Sequence, residues 1–221
     1  FDVKTGKELW RTGRSDVPTF GTPAVVPGAN GSKQVVVNGW KQIAGYELKT
    51  GKQIWTQKEA KGDTTSPTWW TPSTGKAAVV VQTNNKLLGL KPDDGSLLWE
   101  AEGGGQSTPV ASGDWLVIYS GAKGVGLRAY KADAEGKPQA VWSHYWLTLR
   151  YTGSPIVHDG LVYNMCGGKH LCFELETGKQ RWEEVVNSTI SSPLLVDGKV
   201  LVQENGGSHI RLIKADPTSY Q

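Results

Sequence analysis

Methionine, long apolar runs and charge of one sign are all scarce in this 221-residue chain, and each scarcity excludes something. A single Met and only 38% apolar residues speak against a helix bundle, which would want more Leu, Ala and Met and far fewer glycines. No apolar run approaches the ~20 residues of a spanning helix, so nothing reads as a membrane span. The 24 basic and 21 acidic residues are interspersed to a net charge of +3, with no block of five like charges. That pattern excludes a nucleic-acid stripe and a polybasic membrane tail. The small net charge and the aromatic content together argue against disorder. The chain begins at Phe1 without a signal-peptide pattern, as expected of a processed or trimmed chain or of a segment of a longer one. What is abundant points one way. There are 28 Gly, nearly double the average share of ~7%, beside 10 Trp and 7 Tyr, which is the composition of a turn-rich β protein.

The excess residues are periodic. Gly is followed four positions later by Trp in GKELW (Gly6 to Trp10), GKQIW (Gly51 to Trp55), GSLLW (Gly95 to Trp99) and GKQRW (Gly178 to Trp182), with a looser copy from Gly136 to Trp142. The five Trp lie 45, 44, 43 and 40 residues apart. A second marker, Ser or Thr before Pro, falls at Thr22-Pro23, Ser66-Pro67, Thr108-Pro109, Ser154-Pro155 and Ser192-Pro193, on the same period. Each unit reads as four short strands. An apolar segment follows the Pro, and then comes a β-branched run such as Val35 to Asn38, Val79 to Gln82 or Leu116 to Ser120. A third strand and a Thr-Gly or Asp-Gly turn lead into the strand that ends in Trp. Four strands per ~43 residues, radially repeated, are the signature of an all-β propeller blade. The whole of 1–221 is one such region, with repeats at roughly 11–55, 56–99, 100–142, 143–182 and 183–221. Residues 1–10 are either the end of a preceding blade or the strand that closes the ring. About five blades are present, and the phase favours an arc of a seven- or eight-bladed ring, whose open blade edges would invite self-association.

The five periodic tryptophans, Trp10, Trp55, Trp99, Trp142 and Trp182, are read as blade-docking residues. Blades stack face to face, and a flat ring at one fixed position fills the gap that widens toward the rim. Burying ~150–250 Å² at ~25 cal/mol per Å² gives roughly 4–6 kcal/mol gross per ring.

The consensus, an aromatic or Leu strand followed by Thr-Gly-Lys-x-x-Trp, resembles the pyrroloquinoline-quinone-like (BamB-like) β-propeller repeat family. Tyr46 to Trp55 (YELKTGKQIW) and Phe173 to Trp182 (FELETGKQRW) carry the resemblance most closely, and it spans essentially the whole chain. The family includes quinoprotein dehydrogenases, the BamB scaffold and other exported bacterial propellers, so the repeat is specific for fold and weak for function. The resemblance implies a periplasmic or secreted bacterial protein acting as a binding or scaffold module, with a protein or a surface polymer as partner and no cofactor. The alternatives are a dehydrogenase-type propeller holding pyrroloquinoline quinone and Ca²⁺, or a carbohydrate-binding propeller. The family's enzymes hold the quinone with a disulfide between adjacent cysteines, and no adjacent pair occurs here. Cys166 and Cys172 flank the Gly167-Gly168-Lys169 hairpin, where a cross-strand disulfide and two buried thiols are both compatible with the spacing.

No catalytic constellation stands out. His144, His158, His170 and His209 are dispersed, and no metal site is expected. GAKGVG (Gly121 to Gly126) imitates a phosphate loop but joins two strands, so it reads as a hairpin. Binding candidates are the aromatics that the repeat leaves unexplained. Trp40, Trp69, Trp70, Trp115 and Trp146 lie outside the anchor position, and the candidates among these aromatics are Trp40, Trp69 and Trp70, and the segment containing His144, Tyr145, Trp146 and Arg150, which lengthens one connection between blades. The alternative is that these rings fill irregular seams. A second candidate set is the polar residue that ends each second strand: Asn38, Gln82, Ser120, Asn164 and Gln203. They either line a channel rim or satisfy backbone groups at the strand ends.

Overall fold

Each β-branched run becomes the second strand of its own antiparallel sheet. The computed structural model describes residues 1–15, 19–58, 60, 62, 64–146, 148, 151–187 and 192–220. The first sheet comprises β1 (Ala24–Pro27), β2 (Lys33–Val37), β3 (Ile43–Glu47) and β4 (Gln53–Gln57). The second comprises β5 (Thr68–Trp70), β6 (Ala78–Gln82), β7 (Lys86–Leu90) and β8 (Leu97–Glu102). The third comprises β9 (Val110–Ser112), β10 (Trp115–Ser120), β11 (Gly126–Ala132) and β12 (Pro138–His144). The fourth comprises β13 (Ile156–His158), β14 (Leu161–Asn164), β15 (Lys169–Glu174) and β16 (Gln180–Val185). The fifth has three strands, β17 (Leu194–Val196), β18 (Lys199–Glu204) and β19 (His209–Lys214). Among the described residues, no helix is long and apolar enough to cross a membrane.

Four apolar clusters lie in the four seams between consecutive sheets. Strand β6 shows how one sequence serves two seams. Its side chains alternate in direction, so Val79 and Val81 pack toward the first sheet while Ala78 and Val80 pack toward the third. Every residue of β6 is therefore buried, and the strand reads as a continuous apolar run rather than an alternating one. None of the clusters joins the fifth sheet to the first. The face of the fifth sheet that carries Leu194, Ile210 and Leu212 is exposed.

The Ser/Thr-Pro marker has a structural role of its own. The Thr22 N–H donates to Ser66 Oγ (2.9 Å), Ser66 N–H to Thr108 Oγ1 (3.0 Å), Thr108 N–H to Ser154 Oγ (3.0 Å) and Ser154 N–H to Ser192 Oγ (3.1 Å). One hydroxyl per blade thus links the entrances of all five first strands in a single hydrogen-bonded chain. The following Pro has no N–H to compete and holds the residue before it extended.

The docking tryptophans follow a second rule. Across the sheet, Trp55 faces Gly45, Trp99 faces Gly89, Trp142 faces Ala129 and Trp182 faces Cys172, all small, and a register shift follows each of these partners. A Cβ at Gly45 would lie 2.5 Å from the Trp55 ring. Each ring also reaches the next blade. Trp10 Nε1 donates to the Leu48 carbonyl (2.9 Å), Trp55 to Pro92 (2.9 Å), Trp142 to Leu175 (2.8 Å) and Trp182 to Asp216 (2.8 Å). Trp99 is the exception, because its Nε1 is buried without a partner among the described residues. Strands β11 and β12 are seven residues each, against five in β3 and β7, and this displaces their turn. A Cβ on the turn's Gly136 would meet Thr74 and Lys76 instead of an indole. Trp55→Phe is therefore expected to cost about 1–2 kcal/mol more than Trp99→Phe, since only the former removes satisfied hydrogen bonds. Urea unfolding of the two variants checks this, and equal losses would contradict it.

Residues 1–10 form no strand. They repeat the turn that precedes a docking Trp, with Asp2 N–H donating to Lys7 O and Gly6 N–H to Asp2 O (both 2.8 Å), as Glu47 and Gly51 do. Trp10 then docks on the first sheet at Leu48, and no described hydrogen bond ties residues 6–10 to β19 in the manner of a closing strand. At the other end, Asp216 to Thr218 occupy the docking turn of the fifth sheet. Of the two alternatives for the cysteines, the structure has the buried thiols. Cys166 and Cys172 are both buried and form no disulfide, and they lie on opposite faces of the fourth sheet, Cys166 in the seam with the third and Cys172 in the seam with the fifth. Burial pushes the Cys172 thiol up to about 12.

Candidate functional site

Neighbouring strands run antiparallel, so the β2–β3 hairpin and the β4–β5 connection leave the first sheet on the same side, and every blade repeats this. The Gly-containing turns before each docking Trp leave on the other side. The interblade connections and the second hairpins therefore build one continuous face.

Among the sequence candidates, Trp40 (49% exposed) and Tyr145 (40% exposed) lie open to solvent on this connection face. Trp69 and Trp70 do not. Trp69 is half-buried against the first seam, and Trp70 is buried in the second, with its Nε1 donating to the Gly113 carbonyl (3.0 Å) and its ring edge-on to Trp99 at 5.9 Å. Adjacent strand residues point to opposite faces, but in an inner strand both faces are seams. Trp70 is thus a core residue and not a recognition residue. Arg150 lies outside the described residues.

The structure gathers the rest of the aromatic segment at the seam of the third and fourth sheets. Trp146 stacks on Tyr119 at 5.0 Å, Tyr119 lies 5.3 Å from Tyr151, and His144 lies 5.5 Å from Trp146 and 4.9 Å from Phe173. Burial pushes His144 below its ordinary value. The Tyr151 hydroxyl accepts the Thr148 N–H and donates to the Trp146 carbonyl (both 3.2 Å), which fixes the orientation of its ring. Trp40 belongs to the first blade, so it does not join this cluster.

The end-of-strand polar residues do not form a rim. Asn38, Gln82, Ser120 and Asn164 are buried, and Gln203 alone is exposed. Asn38 Nδ2 donates to Thr65 O (3.1 Å), Gln82 Nε2 to Ser107 O and Tyr119 O (both 3.0 Å), Ser120 Oγ to Gly104 O, and Asn164 Nδ2 to Cys166 O (3.3 Å). Connections leave carbonyls behind in the seams, and these side chains satisfy them.

Beside the aromatic cluster the same face opens into a cleft of about 390 Å³ that spans the second, third and fourth blades. Its floor is Gly104, Gly105 and Gly121, and its walls carry Asn84, Gln106, Tyr151 and Thr152. Sequence reading missed this site. The signal was the triple glycine Gly103 to Gly105 in one interblade connection, facing the glycine of the hairpin at Gly121. Among the described residues no group of three or more His, Cys, Asp and Glu is placed to hold a metal ion.

A buried ionisable group lies one seam away. His170 is fully buried, its Nδ1 2.8 Å from Tyr220 Oη and 3.7 Å from Glu204, and Glu204 pairs with Arg211 at 3.0 Å. Burial pushes His170 down to about 4, against the opposing pull of Glu204. The folded state keeps this ring neutral, while the unfolded chain takes up a proton below its ordinary value near ~6.5. The stabilising contribution is therefore complete above that value and is lost as pH falls toward 4. The expected loss is on the order of 2–3 kcal/mol in unfolding free energy between pH 7 and 4. His170→Asn should flatten that dependence, and an identical pH profile in both proteins would contradict it.

Comparisons with known proteins agree with this architecture. A family profile described as outer membrane protein assembly factor BamB matches residues 1–128, 42–194 and 128–218. The crystal structure of BamB from Moraxella catarrhalis superposes with a TM-score of 0.64 at 18% identity, over 89% of this chain and 63% of that one. The chain thus spans less than two thirds of that structure's length. The Cps50 (Swd1) β-propeller domain of Myceliophteria thermophila superposes with a TM-score of 0.57 at 11% identity, over 90% of this chain and 69% of that one. No curated protein matches the chain.

Proposed function

Because the chain belongs to the family of outer membrane protein assembly factor BamB, we propose that it is a non-catalytic, protein-binding scaffold of the bacterial periplasm or outer-membrane surface. The observation that carries this reading is the connection face. Large rings are left half-exposed there at Trp40 and Tyr145, while the repeat's own tryptophans are spent in the seams or docked on the next blade. Exposed aromatic side chains on connections held by a rigid scaffold are the usual anchors of protein interfaces.

The dehydrogenase alternative fits the chain poorly. The family's quinone enzymes need a disulfide between adjacent cysteines, and the two cysteines here face different seams. The test is capture of envelope proteins by a tagged chain. The double variant Trp40→Ala/Tyr145→Ala is expected to lose at least about tenfold of the captured partner, equivalent to ~1.4 kcal/mol, with an unchanged melting curve. Undiminished capture would remove these rings from the interface.

A further inference from the structure

We propose that the glycine-floored cleft between Asn84, Gln106 and Tyr151, on the same connection face, binds a neutral saccharide, an activity distinct from protein binding. Its volume of about 390 Å³ lies within the ~300–1,000 Å³ of small-molecule sites. No charged side chain lines it among the described residues, so it offers nothing to attract an ionic ligand.

The polar groups that line it are uncommitted. Neither the Asn84 nor the Gln106 side-chain amide has a hydrogen-bond partner among the described residues, and the Thr152 hydroxyl is shielded from solvent without one. Beneath Gly105 lies Gln82, whose Oε1 is buried and equally unpartnered. A side-chain amide sets donor and acceptor side by side, which is the complement of two vicinal hydroxyls.

The opposite wall supplies the other half of sugar recognition. The Tyr151 ring lies against Gly121, where a Cβ would stand 3.0 Å from it, and both of its hydroxyl bonds are spent on Thr148 and Trp146. It therefore presents ring carbons to the cleft, a surface suited to the apolar face of a pyranose. An extended peptide is the less suitable occupant, because strand addition needs free backbone N–H groups and the Gly105 N–H already donates to Thr83 O (2.8 Å). Glycine is required where the connection closes on the β6–β7 hairpin. At Gly104 a Cβ would stand 2.5 Å from Asn85 Cα.

Saturation-transfer NMR with chitobiose and with maltose, each at about 5 mM, suits the millimolar affinity expected of so open a site. The expected result is transfer to the ring protons of at least one sugar, reduced at least about tenfold in Asn84→Ala/Gln106→Ala. Both replaced residues are exposed, so the fold is retained. Trp40→Ala, on the first blade and away from the cleft, should leave the transfer intact, which separates failure of this site from failure of the protein-binding reading. No transfer from either sugar, equal transfer in the amide variant, or displacement of the sugar by an uncharged, end-capped peptide would overturn the assignment. So would a preference for glucuronic acid over the neutral sugars.

Discussion

Replacing Trp55 with Ala is expected to lower the unfolding free energy by about 3–5 kcal/mol. The indole is 6% exposed and fills the seam between the first and second sheets together with Val36, Val81 and Leu90. Truncation removes most of an aromatic side chain's transfer energy and leaves a cavity that flat sheets cannot collapse to fill. It also strands polar groups. Trp55 Nε1 donates both to Gln34 Oε1 (2.8 Å) and to Pro92 O (2.9 Å), and Gln34 Oε1 would be left in the seam without that donor. Urea unfolding followed by fluorescence and by circular dichroism measures the loss. A change below about 1 kcal/mol would show that the periodic Trp is not a docking residue.

Gly95→Ala is expected to cost roughly 2–4 kcal/mol, although it adds only one methyl group. Gly95 has φ +70°, the value also found at Gly51 and Gly178 in the matching turns, and this region is unfavourable for residues with a Cβ. Its added Cβ would overlap the Trp55 ring, which lies across the turn from the preceding blade. The two penalties can be separated. In the Trp55→Ala background the overlap disappears and only the backbone cost of about 1 kcal/mol remains, so the two changes should be non-additive by about 1–3 kcal/mol. Additive losses would mean that the ring and the glycine do not meet.

Much of the fold was legible because the blade repeats its chemistry. The Trp must lie over small residues and reach a turn carbonyl, so Gly, Lys and Trp recur at fixed spacing, and the hydroxyl before Pro recurs because each blade hands a hydrogen bond to the next. The departures were not legible. Whether Trp99 finds a carbonyl depends on the greater length of β11 and β12, seven residues each, which alters no motif. Strand alternation makes at least one of Trp69 and Trp70 look exposed, but an inner strand has a seam on both faces. Asn38 and Gln82 look like rim residues until the carbonyls of the neighbouring blade are placed beside them. The cleft was hidden for a related reason. It is built from four separate connections, and glycines 104, 105 and 121 read individually as ordinary turn residues.

The division of labour between seams and connection face is tested most directly by site-specific photocrosslinking in the cells that make the protein. A photoreactive residue would be placed at Trp40 or Tyr145 on the connection face, or at Lys49 or Glu135 in the opposite turns. Adducts to partner proteins are predicted from 40 and 145 and not from 49 and 135. Adducts from the turn positions alone, or equally from both sides, would contradict a scaffold that binds through its interblade connections.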